Sequence, residues 1–533
     1  MGIYLNPSNE NFRRIVSSEI YVDKTMMLSV LNDIIGKQNN YVCISRPRRF
    51  GKTITSNMLS AYYSKGCDSE KLFFPYKIAS AKGFKDKLNK FNVIKIDVNS
   101  EFQNTINKQD LIPSITNDIR KEFITQFPEV VFTEQDSIGK CILKVFAATS
   151  EQFVIILDEY DVLVRENVEQ ELFKQYLNFL NGIFKSDTLR PAIALAYLTG
   201  IFPIVRDKVQ SKLNNFEEYT ILNSSVLSEF VGFTTKEVMA LSKKYGVDFK
   251  ECKRWYDGYH LAWYDKDEYK TCEIYNPESV VKSMLHKKIG NYWNKTSSYE
   301  VISERIQQNF EGTKDAVIKM LSGESVEVDV GMFLNTMTQF RSKNDVFAYL
   351  IHLGYLAYNE ALEECRIPNC EVQQEWFRAI SVVDEYAETD KIIKASKELL
   401  AETLRGNESA VASSLDLSHI HVTSNRSYNN EDALQSAIYL SFIYALNKYT
   451  VIKEMTTGKG FADVVFIPFA QDFPALIIEL KRNGSADTAL TQIREKQYFD
   501  SLSHYSGNLL FVGINYDENT KKHDCRIERF VKE

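Results

Sequence analysis

Two short stretches of this 533-residue chain carry residue types that could do phosphate chemistry. The first is Ser45-Arg46-Pro47-Arg48-Arg49-Phe50-Gly51-Lys52-Thr53, which follows an apolar run at 41–45 and opens a helical segment at 52–63. A strand, a loop and a helix beginning at Gly-Lys-Thr form the context of a P-loop. Backbone N–H groups at a helix start point at an anion, and the helix dipole favours it. Lys52 is then the cation for the β and γ phosphates, and Thr53 the hydroxyl ligand for Mg²⁺. A charged turn before a helix would look the same in isolation. Arg46 also stands where such loops begin with glycine, and Pro47, Arg48 and Arg49 replace small residues, which would narrow or reshape the cradle. A second acidic motif supplies the missing context. Val154-Ile155-Ile156-Leu157-Asp158-Glu159 is an apolar strand ending in two carboxylates, costly to bury unless they are used or solvated. Asp158 is the candidate at Mg²⁺ and Glu159 the candidate base for an attacking water. The next apolar strand ends at Thr199-Gly200, where Thr199 is placed to sense the γ-phosphate.

The second constellation is Gly458-Lys459-Gly460-Phe461-Ala462-Asp463 followed by Ile477-Ile478-Glu479-Leu480-Lys481. Glu479 and Lys481 lie two apart on a strand and so share a face. If the two strands form a hairpin, Asp463 comes near Glu479, and two carboxylates hold a hard divalent cation through oxygen. Lys481 would orient or deprotonate a water there, or neutralise developing charge. Glu431, on the helix before, is a further candidate ligand, and Gln492, on the helix after, could bridge by hydrogen bonds. Glu-x-Lys on a strand usually means only a solvated face. The order Asp, then Glu-x-Lys, with a Gly-rich approach and flanking helices, makes it a candidate metal site. Lys453, Lys459, Arg482, Arg494 and Lys496 surround it as candidate contacts to a phosphate backbone.

The elements that must position these residues divide the chain. Over the first 220 residues, apolar runs at 41–45, 91–98, 153–157 and 193–199 alternate with helical segments, which predicts a parallel sheet covered on both faces. From 226 to 405 the pattern is mainly helical, with a turn at Gly354 and a short hairpin within 355–371 that fits a winged-helix-like unit. From 406 a helix (431–448), strands at 450–454, 462–467 and 475–480, a helix at 487–504 and a last strand at 508–515 predict a separate α/β domain. The expected division is 1–225, 226–300 as a helical lid, 301–405 as a helical linker, and 406–533.

Bulk composition narrows the function classes. Apolar residues make up 44% and charged residues 25%, as in ordinary globular proteins. A net charge of −7 argues against non-specific coating of nucleic acid, though a local basic groove remains compatible. No run approaches the roughly 20 apolar residues of a membrane span, and the first residues read as neither a signal peptide nor a myristoylation site, so a cytoplasmic location is expected. The eight cysteines form no Cys-x-x-Cys pair. Cys365, Cys370 and the His523-Asp524-Cys525 cluster lack the second half of a zinc site and read as reduced, incidental thiols. The Trp255, Tyr256 and Tyr259 cluster could stack on a base, but core packing is the commoner use.

These motifs together resemble the bacterial and archaeal proteins that join an AAA-ATPase-like domain to a PD-(D/E)XK nuclease superfamily domain. The matching pieces are Tyr21-Val22-Asp23-Lys24-Thr25, the Arg46–Thr53 loop, Leu157-Asp158-Glu159-Tyr160-Asp161, Leu213-Asn214-Asn215-Phe216, Trp255-Tyr256-Asp257-Gly258-Tyr259, Tyr275-Asn276-Pro277 and Thr296-Ser297-Ser298-Tyr299. Towards the C-terminus they continue with Asn430-Glu431, Gly458–Asp463, Glu479-Leu480-Lys481, Gln492-Ile493 and Val512-Gly513-Ile514-Asn515-Tyr516. The resemblance implies an α/β architecture of three parts. These are a P-loop parallel sheet with helical lid, a helical middle, and a C-terminal PD-(D/E)XK nuclease-like α/β domain. It also implies ATP and Mg²⁺ (or Mn²⁺) as cofactors and nucleic acid, above all DNA, as partner, and it makes Arg46 a family trait. A role in defence against foreign DNA is a further implication, and a homo-oligomer stays open. After Gly200 the loop reads Ile204-Val205-Arg206-Asp207-Lys208 where relatives often carry a Lys-rich or Ser-Arg segment, with Arg206 as a candidate sensor. The competing classes are an ATP-dependent nucleic-acid-binding switch or scaffold that does not cut, and an NTPase with no nucleic acid partner.

Overall fold

The computed structural model describes all residues except 1, 205–212, 214, 266, 294–298, 322, 332–339, 423–433, 435–437, 439–440, 458–459, 469–472, 497–506 and 531–533. It divides into two compact units, residues 1–297 with 325–372, and residues 298–324 with 373–533. The segment 301–405, read from sequence as one linker, is therefore shared between them.

The first unit is built on strands β1 (Tyr41–Ser45), β2 (Asn92–Asp97), β3 (Phe153–Asp158), β4 (Ile193–Gly200) and β5 (Glu217–Tyr219), in the spatial order β2-β3-β4-β1-β5. All pairings are parallel. Every residue of β1, β3 and β4 is buried, which is why these strands read as unbroken apolar runs. Helices α1 (Lys52–Tyr63), α2 (Leu111–Gln126), α3 (Ile138–Thr149), α4 (Val162–Arg165) and α5 (Gln170–Phe184) follow or flank them. Strand β5 is short and polar, and the apolar pattern had no signal for it.

The next segment is helical only in part. Strands β6 (Phe233–Thr234), β7 (Tyr259–Asp265) and β8 (Glu268–Tyr275) form an antiparallel sheet in the order β6-β8-β7. It is joined by α6 (Thr235–Tyr245), α7 (Phe249–Tyr256) and α8 (Pro277–His286). In β7, Tyr259, Leu261 and Trp263 point inward while His260 and Tyr264 face out, a period-2 pattern that the surrounding helices masked in the sequence. Tyr256 and Tyr259 are buried, so the aromatic cluster packs as core. The expected hairpin in 355–371 is present as β10 (Ala357–Asn359) and β11 (Glu364–Arg366), with β9 (Val326–Glu327) paired to β11. Helix α9 (Lys343–Leu353) precedes it, and its residues 346–352 are all buried.

The second unit carries α10 (Ala387–Arg405) and α11 (Glu408–Val422) and a five-stranded sheet. Its strands are β12 (Tyr449–Thr457), β13 (Gly460–Pro468), β14 (Ala475–Arg482), β15 (Leu509–Asp517) and β16 (Lys522–Phe530), in that spatial order. Only β14 and β15 run parallel, with α12 (Ala486–Glu495) crossing between them. β16 went unread because its outward residues Lys522, Asp524 and Glu528 interrupt the apolar pattern, while His523 and Cys525 face the core. Of the helix expected at 431–448, residues 431–433, 435–437 and 439–440 lie outside the described residues and Ile443–Asn447 forms a 3-10 turn, while the end of the helix expected to reach 504 lies outside the described residues. No helix among the described residues is long and apolar enough to cross a membrane.

Candidate functional site

The loop between β1 and α1 is shaped by two left-handed residues, Arg49 (φ 70°) and Gly51 (φ 94°). Nothing lies within 4 Å of where a Cβ on Gly51 would sit, so glycine is needed there for its backbone conformation and not for space. Most of the bulky residues of the loop have partners of their own. Arg46 is fully buried and its Nη1 donates to Ser45 O (2.9 Å) and Tyr219 O (3.4 Å). Burial pushes its pKa down to about 10. Pro47 packs against Gly354, where a Cβ would come within 2.8 Å of the proline Cβ. Arg49 Nη1 lies 2.7 Å from Glu278 Oε2 at the start of α8. Phe50 sets its ring edge-on to Tyr259, 5.4 Å between centroids. Arg48 is exposed. Arg46, Pro47 and Arg49 are thus held by packing and pairing, and Arg49 and Phe50 also line the cavity beside the loop.

Lys52 Nζ is buried and donates to the carbonyls of Arg46 (2.9 Å) and Pro47 (3.0 Å). Burial lowers its pKa to about 8, against the opposing fields of Glu159, Asp161 and Asp158. Residues 49–53 line one side of a cavity of about 440 Å³. Ile20, Tyr21, Val22, Phe230, Phe233 and Val281 give it an apolar side, and Glu159 and Glu278 also border it. A cavity lined by a phosphate-type loop together with apolar and aromatic side chains is of a kind that can take a nucleotide. Sequence alone gives the 21–25 segment no role and Glu278 and the phenylalanines no local signal, because only folding brings them to the loop.

Asp158 ends β3 and is 1% exposed, yet its Oδ2 has no hydrogen-bond partner. Its Oδ1 accepts from the Thr199 hydroxyl at the end of β4, and Asp97 stands beside it in register on β2. An unpartnered buried carboxylate oxygen at the strand ends fits a cation ligand. Thr53 is exposed on the cavity wall. Glu159 adopts φ 52°, a costly conformation for a residue with a Cβ. Its Oε2 accepts from Arg165 Nη2 at 2.5 Å. Burial raises the Glu159 pKa, but Arg165 and Lys52 more than offset it and hold the carboxyl below its ordinary value. Arg206 lies outside the described residues.

In the second unit, β13 and β14 pair antiparallel with Val464 opposite Ile478, so Asp463 falls at the next position toward Glu479. Asp463 Oδ2 accepts from Leu480 N at 2.7 Å. Glu479 is 2% exposed. Its Oε1 accepts from Lys481 Nζ (3.1 Å) and from Gln492 Nε2 on α12, while its Oε2 has no partner. Burial, then the field of Asp463, pushes its pKa up to about 7, with Lys481 and Lys496 opposing. α12 reaches this point because β15 carries Gly513 there: a Cβ would come within 2.3 Å of Ala486 O. Asp463, Glu479, Lys481 and Gln492 are thus brought together, whereas Glu431 lies outside the described residues. Among the described residues no group of three or more His, Cys, Asp or Glu is placed to hold a metal. Of the basic groups, Arg482 pairs with Glu518 (2.7 Å) and Arg494 with Glu528. Lys459 and the side chain of Lys453 are outside the description.

Comparison with known proteins gives the same two parts. Residues 8–210 match the family model described as "Predicted AAA-ATPase", and residues 429–525 match the "PD-(D/E)XK nuclease superfamily". The chain is 22% identical over 521 residues to an uncharacterized protein from the vnfD 5' region of Azotobacter chroococcum mcd 1, covering 94% of this chain and 93% of that one. Among solved structures, the Aeropyrum pernix ORC2 protein in its ADPNP–ADP complexes aligns at 11% identity and a TM-score of 0.32, over 71% of this chain and 98% of that one. The Aeropyrum pernix ORC1 protein in complex with DNA aligns at 8% identity and a TM-score of 0.26, over 94% and 99%. The chain therefore carries an AAA-ATPase-like domain followed by a PD-(D/E)XK superfamily domain.

Proposed function

We propose that this chain is an ATP-regulated nuclease, in which the AAA-ATPase-like part binds and hydrolyses ATP and the PD-(D/E)XK part cleaves DNA phosphodiesters. The observation that carries the nuclease half is the buried Glu479. Its Oε1 is tied to Lys481 and Gln492 and its Oε2 is left for a ligand, beside Asp463. Asp463 and Glu479 would hold the divalent cation, with Glu431 a third candidate. Bound there, the cation would supply charge neutralisation at the phosphate and activation of a water. Gln492 fixes the rotamer of Glu479, and Lys481 presents a positive group to the phosphate.

In the first unit, the Lys52 ammonium and the backbone N–H groups at the start of α1 bind the phosphates. Thr53 and Asp158 would hold Mg²⁺. Glu159 accepts the proton of the water whose oxygen attacks the γ-phosphorus. The bond to ADP breaks, giving ADP and phosphate. Thr199 holds Asp158 in place. ATP use governs cleavage, and foreign DNA is the target this activity would serve in defence.

The decisive test is a cleavage assay on linear and circular, single- and double-stranded DNA and on RNA, with Mg²⁺ or Mn²⁺, with and without ATP. Asp463→Ala is the control. Cutting that disappears in the control supports the nuclease, and its ATP dependence supports regulation. The net charge of −7 favours a second reading, an ATP-dependent nucleic-acid-binding switch that does not cut. ATP turnover without cutting on any substrate would select it.

A further inference from the structure

The carboxylate of Glu159 is held from behind. Arg165, the last residue of the short helix α4, is 9% exposed. Its Nη2 reaches Glu159 Oε2 at 2.5 Å and its Nε lies 3.5 Å from Asp161 Oδ2. Asp161 is itself fixed, because its Oδ2 accepts from the backbone N–H of Ile201 (2.9 Å) and Phe202 (3.0 Å), just beyond β4. The Glu159 backbone is held as well. Its N–H donates to Thr199 Oγ1 at 3.4 Å, and its carbonyl accepts from Val162 N at 3.2 Å. The left-handed φ of 52° is thus kept by a surround that over-determines it.

We infer that Arg165 is a positioning residue for ATP hydrolysis, holding Glu159 by Oε2 so that Oε1 is the oxygen presented to the attacking water. This rests on the ATPase reading above. Two features distinguish it from an ordinary ion pair that merely anchors α4. Glu159 borders the nucleotide cavity while Arg165 does not, so the arginine acts behind the base and leaves the phosphate side open. The neighbour of Arg165, Asp161, is tied by its own carboxylate to the segment that follows Thr199, so the guanidinium couples the Glu159 carboxylate to a group already fixed against the end of β4. Only Nη2 makes a hydrogen bond, to Glu159, while Nε stands near Asp161 as an ion pair, and a rigid planar guanidinium suits that task better than a flexible ammonium.

The test uses the full chain and ATP in a double-mutant cycle. Turnover and ATP affinity are measured for wild type, Arg165→Gln, Arg165→Lys, Glu159→Gln and the double variant Arg165→Gln with Glu159→Gln. Arg165→Gln is expected to lower kcat at least about tenfold, part of the general-base contribution, with ATP affinity changed no more than about threefold. Arg165→Lys should recover part of the loss. In the Glu159→Gln background, Arg165→Gln should cost nothing further, because residues that act as a unit are not additive. An equal loss in both backgrounds, loss of ATP binding in Arg165→Gln, or unchanged kcat would overturn the inference. Turnover that requires Lys52 and Glu159 but ignores Arg165 would leave the ATPase reading standing and remove only this one. Turnover that survives Lys52→Ala, or is absent from wild type, would remove both.

Discussion

Acidification should weaken the first unit through one residue. His352 lies on α9, is 4% exposed, and has the ring of Phe202 at 6.0 Å. Burial alone pushes its pKa down from 6.5 to about 4. A base whose folded pKa is depressed takes up protons more readily when unfolded, so its contribution is complete above pH 6.5 and is lost as pH falls toward about 4. The linkage relation gives about 2 kcal/mol lost by pH 5 and about 3 kcal/mol in full. That is a large share of the stability of a typical domain. The consequence should reach the nucleotide site, since Gly354, two residues on, packs against Pro47 of the loop. The assay is urea unfolding at pH 7.5 and 5.0 for wild type and His352→Leu, followed by tryptophan emission. Trp255, Trp263 and Trp293, three of the four tryptophans, lie in the same unit. Leucine carries its own packing cost, but that cost does not titrate. Wild type should therefore lose about 2 kcal/mol more than the variant between the two pH values. Parallel losses in both proteins would refute the reasoning and assign acid sensitivity to other groups.

Other expectations concern the two sites. Glu479→Gln removes the ligand charge while keeping the amide near Gln492, and should abolish cation-dependent cutting with ATP turnover unchanged; cutting at a wild-type rate would place the nuclease site elsewhere. Lys52→Ala should eliminate ATP binding, measured by calorimetry, and retained affinity would remove the loop from the nucleotide site. Gly354→Ala combines a left-handed φ of 84° with a Cβ 2.8 Å from Pro47, and should weaken ATP affinity by displacing the loop, whereas unchanged affinity would mean the contact yields freely. Gly513→Ala places a methyl 2.3 Å from Ala486 O and should destabilise the C-terminal sheet by about 1–3 kcal/mol in thermal unfolding, with a loss of cutting as Gln492 moves off Glu479; an unchanged melting temperature would refute it.

Local pattern was enough to place much of this protein. The strand before Arg46, the helix opening at Lys52 and the acidic end of β3 follow from apolar runs and from glycine, because parallel strands buried on both faces leave an unbroken signature. The two-residue spacing of Glu479 and Lys481 placed them on one face, since alternation along a strand is a property of the backbone itself. What sequence could not hold is any relation between residues far apart in the chain. Glu278 reaches Arg49, Gly354 reaches Pro47, and Gln492 reaches Glu479 only through packing. The antiparallel sheet of β6 to β8 and the charged edge strand β16 were hidden because neighbouring helices mask the alternation of the one and outward charges interrupt the apolar pattern of the other. The chain thus determined which groups could do phosphate chemistry. The tertiary structure decided their electrostatics, with burial pushing the Glu479 pKa up to about 7 and distant residues supplying partners to Arg46 and Arg49 of the loop. Burial and through-space charge depend on neighbours that only the folded chain supplies.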